Sequence, residues 1–276
     1  MSALSDPATL LPLIAALAAA GAAIGFLAGL FGVGGGAISV PVFYEIFGAL
    51  GYPPDLAMPI AVGTSLAVII PTSISSARGH QRKGTLDLEI LRAWAVPILL
   101  GVILGAAIAR YAPPLLFQIV FVMVATITAT KLLTGGKGWR LKETLPGLLA
   151  MRLSGMIIGL VSAIMGIGGG AVSNLFLTLH GVPIHRAVST SAGVGVLIAI
   201  PGAIGYVLAG LGRDDLPPDA LGFVSLAAFA LTIPMSLLTT RFGVALAHRM
   251  SRRSLEIAFG SFLLLVAARF VLALFL

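Results

Sequence analysis

The 276-residue chain contains no cysteine and few charged residues, which make up only 10% of it. The absence of cysteine excludes disulfide bonds, thiolate metal sites and cysteine nucleophiles. Ordinary soluble domains carry about 25% charged residues, so this scarcity of charge excludes a soluble enzyme. Apolar sequence is abundant instead, since 58% of the residues are hydrophobic.

The apolar residues recur in blocks of roughly 20, the length that an α-helix needs to cross a bilayer. Residues 95–109 are continuously apolar, and residues 255–276 are apolar apart from Glu256, Ser261 and Arg269. The strands of a membrane β-barrel instead alternate polar and apolar residues. The first long apolar run lacks a preceding basic region and a cleavage site, so it is predicted to be a transmembrane helix rather than a removed signal peptide. The sequence predicts an all-α polytopic membrane protein.

An internal repeat is the strongest signal in the sequence. Residues 25–39 and 159–173 share the pattern Gly-x-Gly-Gly-Gly-Ala-x-Ser, and Ala-Val-x-Thr-Ser follows at 61–65 and again at 187–191. We therefore predict a first repeat over 1–133, a cytoplasmic linker over 134–146 and a second repeat over 147–276, together forming one transmembrane domain.

Apolar runs and the breakers between them predict five helical segments in each repeat, two of which are unusually short. Paired prolines at 53–54, 113–114 and 217–218 mark turns, because proline lacks the amide proton and disfavours a helical residue before it. The predicted segments are 10–31, 37–50, 57–77, 90–110 and 114–133, then 147–166, 171–180, 187–210, 219–240 and 254–275.

The net charge of +7 arises from 17 Lys and Arg against ten Asp and Glu. No basic run is interleaved with aromatic residues, so nucleic acid is not an expected partner. Basic residues favour the cytoplasmic loops of membrane proteins, and most of them fall in the predicted loops 78–89, 134–146, 181–186 and 241–253 or beside them. Both termini are then outside, and the odd number of segments makes the repeats inverted, as in many secondary transporters.

Two glycine clusters interrupt the apolar segments, and they are candidates for substrate binding. An unwound backbone inside a membrane must be buried in protein or line a wet cavity. The short segments that follow would point free N–H groups and a positive dipole end at the break, which suits an anion. The alternative is close helix packing, as expected for Gly21, Gly25 and Gly29. The candidate glycines are Gly34, Gly35 and Gly36 in the first repeat and Gly168, Gly169 and Gly170 in the second.

Hydroxyl and amide side chains near the breaks are the remaining substrate-binding candidates. Hydroxyl groups can donate to a ligand oxygen or bond back to the carbonyl four residues earlier. Residues just past the breaks could instead cap the helix starts. The candidates are Thr64, Ser65, Thr190 and Ser191, with Ser39, Ser173 and Asn174 as possible caps.

Ionisable residues within the apolar segments are few. Glu45 and His180 are candidates for coupling to a proton or sodium ion, with a solvated helix end as the alternative for each. Arg269 is expected to extend to the outer surface. His80 and His248 fall in predicted basic loops and are assigned no role. No metal-ligating or catalytic set is present, so we predict no cofactor, no metal and no enzymatic activity.

The doubled glycine motif at 29–36 and 163–170 resembles the TauE/SafE family of sulfite and organosulfonate exporters, as do Ala-Val-Gly-Thr-Ser-Leu at 61–66 and residues 71–80. The resemblance implies export of a small sulfur-containing anion, such as sulfite, sulfoacetate or a related sulfonate, across the cytoplasmic (inner) membrane and coupled to an ion gradient. Ser189 and Ala192 stand where the first repeat has Gly63 and Leu66, so the two halves are not identical.

The residues and the resemblance together indicate a secondary transporter whose anion sits between the repeats. Its expected partners are the anion, a coupling ion and the lipid bilayer. An anion channel, or a permease importing a related anion, would use similar donors. A membrane enzyme is the remaining alternative, and the sequence offers it no catalytic group.

Overall fold

The computed structural model describes residues 7–32, 35–109, 111–135 and 142–273. Over these ranges the chain forms ten α-helices and one short antiparallel hairpin. The helices of the first repeat are α1 (Pro7–Phe31), α2 (Gly36–Ala49), α3 (Pro54–Arg82), α4 (Leu88–Ala109) and α5 (Pro114–Leu133). The second repeat contains α6 (Leu148–Met165), α7 (Gly170–Leu179), α8 (Ile184–Gly210), β1 (Ala220–Leu221), β2 (Val224–Ser225), α9 (Leu226–Arg249) and α10 (Arg252–Ala273).

Eight of the described helices are long and apolar enough to cross a membrane. The other two, α2 and α7, have 14 and 10 residues. At 1.5 Å per residue these helices are about 21 and 15 Å long, well short of the ~30 Å apolar thickness of a bilayer. The structure confirms a nearly all-helical membrane protein with two short helices, and it adds one hairpin that was not predicted.

Two predicted segments differ clearly from the structure, while the other eight agree to within three residues. The segment predicted at 219–240 is wrong, because a hairpin turning at Gly222 (φ 55°) occupies its first residues. Helix α9 starts only where the Ser225 hydroxyl accepts a hydrogen bond from the Ala228 amide (3.2 Å). It then continues to Arg249, so much of the predicted loop 241–253 is helical.

Helix α3 was predicted to end at residue 77 but continues to Arg82. The apolar sequence stops before the end of α3. The last turns of α3 contain polar residues, and packing against neighbouring helices keeps these turns helical. His80, for example, is buried there. The predicted loop over 78–89 therefore shrinks to the few residues between α3 and α4.

Glycines bring the peripheral helices into close contact. A methyl group on Gly21, Gly25 or Gly29 of α1 would lie within 2.3 Å of a backbone oxygen of α9. The packing interpretation of these three glycines is confirmed. Helix α4 packs on α6 in the same way, since a methyl group on Gly159 would lie 2.3 Å from the Ile98 carbonyl oxygen.

Helices α3 and α8 form the centre of the molecule and run antiparallel. Near one end Gly63 faces Tyr206, and near the other Gly195 faces Ser73. Helices α5 and α10 are also antiparallel, with the Arg253 guanidinium donating to the Leu132 carbonyl at 2.9 Å. The central pair carries the Ala-Val-x-Thr-Ser segments of both halves, and it places them beside the glycine breaks.

Candidate anion-binding site

The two glycine breaks have matching backbone conformations. Gly32 and Gly166 both have φ of 65°, while Gly35 and Gly169 have φ of 86° and 73°. These left-handed values favour glycine. Helix α1 ends before the first break and α6 before the second, so both helices are interrupted as predicted. Gly34 lies outside the described residues.

Each break lies against the Ala-Val-x-Thr-Ser segment of the other half. A methyl group on Gly32 would lie 2.1 Å from the Val188 carbonyl oxygen, and one on Gly166 would lie 3.1 Å from the Val62 Cα. The breaks also approach each other, because a methyl group on Gly36 would lie 2.5 Å from the Gly166 carbonyl oxygen. The structure therefore brings the two predicted glycine clusters together at the centre.

Helices α2 and α7 begin at the breaks without side-chain caps. Their N-cap residues, Gly35 and Gly169, have no side chain, and the structure shows no side-chain cap hydrogen bond at either end. The first N–H groups of an α-helix have no partner within the helix, and the helix dipole adds positive charge there. Such helix starts favour an anion.

The prediction that Ser39, Ser173 or Asn174 caps these helices is wrong. The two serine hydroxyl oxygens lie beside carbonyl oxygens instead, Ser39 Oγ 3.3 Å from that of Gly35 and Ser173 Oγ 2.6 Å from that of Gly169. They lie four residues beyond a carbonyl on the same helix, so back-bonding is the closest option. The Asn174 amide donates to the Phe31 carbonyl at 3.3 Å, which ties α7 to the end of α1.

Four of the predicted serines form two matched pairs. The Oγ atoms of Ser39 and Ser65 are 2.6 Å apart, as are those of Ser173 and Ser191. Ser65 also donates to the Gly166 carbonyl at 2.7 Å. Ser191 donates to Asn174 Oδ1 at 2.9 Å. These pairs link the short helices to the central helices on either side of the breaks.

Thr64 and Thr190 make a different kind of contact. Thr64 Oγ1 accepts from the Ser225 amide at 2.9 Å, and Thr190 Oγ1 accepts from the Asp87 amide at 3.2 Å. Ser225 precedes α9 and Asp87 precedes α4, so each threonine supports the start of a helix in the opposite half.

Ser162 near the end of α6 was missed by the sequence analysis. Its side chain is fully buried, and its Oγ has no hydrogen-bond partner among the described residues. A methyl group on Gly169 would lie 3.4 Å from this oxygen, so the hydroxyl lies beside the second break. The signal was available, because the glycine motif of the first half has Ala28 at the matching position.

The candidate site is closed in this conformation. Its serine and threonine side chains have no exposed surface. Four cavities open elsewhere, and none is lined by the break glycines or by these hydroxyl groups. One of them, of about 670 Å³, lies between α3 and α9 and carries four basic side chains. These are Arg78, Arg82, Lys83 and Arg241, and we refer to this space as the basic cavity.

The two predicted coupling residues lie apart from the breaks. Glu45 of α2 pairs with Arg269 of α10 at 2.5 Å, and both side chains are about half exposed. His180 ends α7, with its Nδ1 2.9 Å from the Phe176 carbonyl oxygen. Neither residue contacts the paired serines in the structure.

The prediction that His80 and His248 lie in loops is wrong. Both are helical, and His80 is only 1% exposed. Their rings are hydrogen-bonded to each other, with His80 Nδ1 3.0 Å from His248 Nε2. Across the described ranges, no three His, Asp or Glu side chains lie close enough together to hold a metal ion.

The sequence comparisons agree with the membrane architecture. Residues 17–270 match the family described as sulfite exporter TauE/SafE. The chain belongs to the TauE/SafE family. It is 34% identical to a probable membrane transporter protein of Haemophilus influenzae over 90% of the chain and 94% of that protein. It is 29% identical to a probable membrane transporter protein of Methanocaldococcus jannaschii over 92% of both. No solved structure matches this TauE/SafE chain.

Membership of the TauE/SafE family makes this chain a membrane transporter and a multi-pass membrane protein. Two relatives of similar length carry the same description over nearly their whole sequences. The similarity to these two relatives therefore extends over nearly the whole chain.

Proposed function

We propose that this protein is a secondary transporter that exports sulfite or an organosulfonate such as sulfoacetate across the cytoplasmic membrane by alternating access. The observation that carries the proposal is the meeting of two uncapped helix starts at the centre, beside the unpaired hydroxyl of Ser162. Free N–H groups and a free hydroxyl group are donors that an oxyanion can accept.

The proposed architecture has two inverted repeats, 1–133 and 147–276, joined by a cytoplasmic linker over 134–146. The antiparallel packing of α3 against α8, and of α5 against α10, supports this arrangement, because these helices occupy equivalent places in the repeats. The concentration of basic residues at one end of the helices supports the cytoplasmic assignment of that end. An anion between the repeats would lie near the membrane midplane.

The donors at the centre suit an anion that must be released again. Backbone amides and hydroxyl groups replace the water of the anion without forming an ion pair inside the membrane. Our proposed ligands are the amides at the breaks together with the hydroxyl groups of the paired serines and of Ser162. The predicted substrate-binding residues also include Thr64, Thr190 and Asn174. Their side chains are hydrogen-bonded to backbone groups beside the site.

The basic cavity gives the anion a route of approach from the cytoplasm. Its four cationic side chains lie at the end of the molecule that we assign to that side. Clustered charge of one sign raises the local concentration of an oppositely charged substrate. Opening between α3 and α9 would extend this cavity toward the centre.

Ligand-induced thermal stabilisation of the purified protein tests the choice of substrate. A ligand that binds the native state raises the unfolding temperature, so sulfite or sulfoacetate should raise it more than taurine or chloride at equal ionic strength. Counterflow in proteoliposomes then separates a carrier from a channel, since only a carrier exchanges internal for labelled external substrate. Equal stabilisation by every anion, or flux without counterflow, would contradict the proposal.

A further inference from the structure

A histidine in the first half and a tyrosine in the second occupy matching places with different chemistry. His80 Nε2 lies 3.3 Å from the Gly29 carbonyl oxygen, and the Tyr206 hydroxyl donates to the Ala163 carbonyl at 3.0 Å. Gly29 and Ala163 stand at the same place in the repeated glycine motif. The two ends of the central helix pair therefore use the same contact, but only the basic end uses an imidazole ring, the side chain whose unperturbed pKa lies nearest to neutral.

The second ring nitrogen of His80 lies close to side chains of α8 and α9. His80 Nδ1 lies 3.0 Å from His248 Nε2 on α9 and 3.1 Å from Ser189 Oγ on α8. Ser189 Oγ is also 2.7 Å from Thr85 Oγ1, and it donates to the His185 carbonyl at 2.7 Å. This network ties α3 to α8 and α9 at the basic end.

Ser189 is one of the positions where the repeats differ. The first half has Gly63 there, and a methyl group on Gly63 would lie 2.1 Å from the Phe223 carbonyl oxygen. The Tyr206 end therefore leaves no room for a hydroxyl group at this position. The hydrogen-bonding side chain is present only at the end that carries the two histidines.

The hydrogen bonds fix the protonation of the neutral pair. A carbonyl oxygen only accepts, so the hydrogen of neutral His80 is on Nε2, facing Gly29, and Nδ1 is an acceptor. His248 then donates from its Nε2 to His80 Nδ1. One added proton makes a single imidazolium, whose ring can donate to the other across the same 3.0 Å contact. The two rings therefore form one site for one proton.

The surroundings of the pair provide no negative charge. Among the described residues, the charged or titratable groups that act on the two rings are His185 of α8 and Lys83 at the end of α3. Helix α1 contributes only the carbonyl oxygen of Gly29. A proton on the buried pair therefore lacks a counter-charge while α3 and α9 are packed together, and it is favoured when water or an anion reaches the rings.

We propose that His80 and His248 form a proton-binding pair whose protonation from the cytoplasm favours separation of α3 from α9, so that opening of the basic cavity responds to cytoplasmic pH. The part that this opening plays in transport rests on the proposed function, whereas proton binding and separation do not. Glu45 and His180 lack such a link, since Glu45 pairs with an exposed arginine and His180 bonds within its own helix.

Nitrogen NMR of histidine-labelled protein in lipid nanodiscs tests proton sharing directly. The chain has four histidines, so single His→Gln variants assign every signal. We expect neutral His80 to carry its hydrogen on Nε2, and His248→Gln to move the titration midpoint of His80 by about one pH unit or more. His180→Gln is the control and should leave His80 unchanged. A His80 titration indifferent to His248→Gln would overturn the pair.

Maleimide labelling from the cytoplasmic side tests the separation of the helices. The chain lacks cysteine, so Ala247→Cys places a single thiol beside His248 at a position that is buried, and Arg249→Cys provides an exposed control at the end of the same helix. We expect the ratio of the two labelling rates to rise several-fold between pH 8 and pH 5.5, because dividing by the control removes the intrinsic pH dependence of the thiol. A constant ratio would overturn the proposed opening.

The variants that remove the site complete the experiment. His248→Gln retains an amide donor toward His80 but cannot share a proton, and it should abolish the rise in labelling ratio. His80→Gln should do the same while still donating to Gly29. If His80→Gln does not insert, His248→Gln alone decides the result, and a rise that persists in it overturns the proposal. Neither measurement uses substrate, so failure here leaves the stabilisation and counterflow experiments to decide transport separately.

Discussion

The buried hydroxyl group of Ser162 is a candidate for binding a ligand rather than for stabilising the fold. A buried polar group without a partner is unfavourable in the closed state, and this oxygen lies beside the start of α7. The same helix position in the first half is Ala28, so the fold does not require a hydroxyl group there. A bound oxyanion would give this group the partner that the closed structure does not show.

Ser162→Ala should therefore leave the ligand-free protein as stable as before, or slightly more stable, while weakening sulfite binding. A hydrogen bond to a charged group contributes about 1.5–3 kcal/mol, which corresponds to a loss of roughly 10- to 150-fold in affinity. Thermal stabilisation measured over a sulfite titration gives both quantities. Ser236→Ala is the matched control, since Ser236 Oγ is also buried and unpaired within the described residues but belongs to α9, where the Ser236 backbone packs on Gly25 of α1. Equal sulfite affinity in the two variants would remove Ser162 from the site.

At the level of elements, the sequence predicted the two glycine breaks correctly but not the start of α9. Glycine clusters inside apolar segments mark breaks because glycine alone tolerates the φ values found at Gly35 and Gly169. The start of α9 was not predictable in the same way. It depends on a hairpin whose Ser225 amide is bonded to Thr64 from the other half of the chain, and local sequence does not record that contact.

The buried serine pairs and the histidine pair could not be predicted from the local sequence either. Ser39 and Ser65 are 26 residues apart and His80 and His248 are 168 apart, so only the packing of the helices brings them together. The repeat nevertheless predicted which residues would gather near the centre, because both halves place the same motif on equivalent helices. What it missed lies where the halves differ, at Ser162, Ser189 and His80.

The contact between Thr64 and the hairpin gives a prediction about stability. Thr64→Val removes the acceptor of a buried backbone N–H, and an unsatisfied buried donor costs about 1–3 kcal/mol. The unfolding temperature of the ligand-free protein should fall in this variant. Thr64→Ser retains the hydroxyl oxygen and should recover most of the loss. If Thr64→Val unfolds at the wild-type temperature but binds sulfite more weakly, the threonine serves the ligand rather than the hairpin.

For the whole molecule, the arrangement of the central helices makes the topology testable with few labels. Helices α3 and α8 follow the two copies of the motif and pack antiparallel. If the chain crosses the membrane as two inverted repeats, the ends of these helices must face opposite sides. The basic residues place the end of α3 in the cytoplasm, and the end of α8 is then outside.

Single cysteines at Asp55, Gln81 and Asp214, which mark the start of α3, its end and the loop after α8, should separate the possibilities. All three positions are exposed, and the native chain has no cysteine to interfere. An impermeant maleimide added to oriented membrane vesicles should label Asp55→Cys and Asp214→Cys from outside and Gln81→Cys only from the cytoplasm. Arg249→Cys, at the end of α9, should follow Gln81→Cys, because α3 and α9 line the basic cavity together. Labelling of Gln81→Cys and Asp214→Cys from one face would mean that the two repeats have the same orientation in the membrane. An anion site between two inverted repeats would then be excluded.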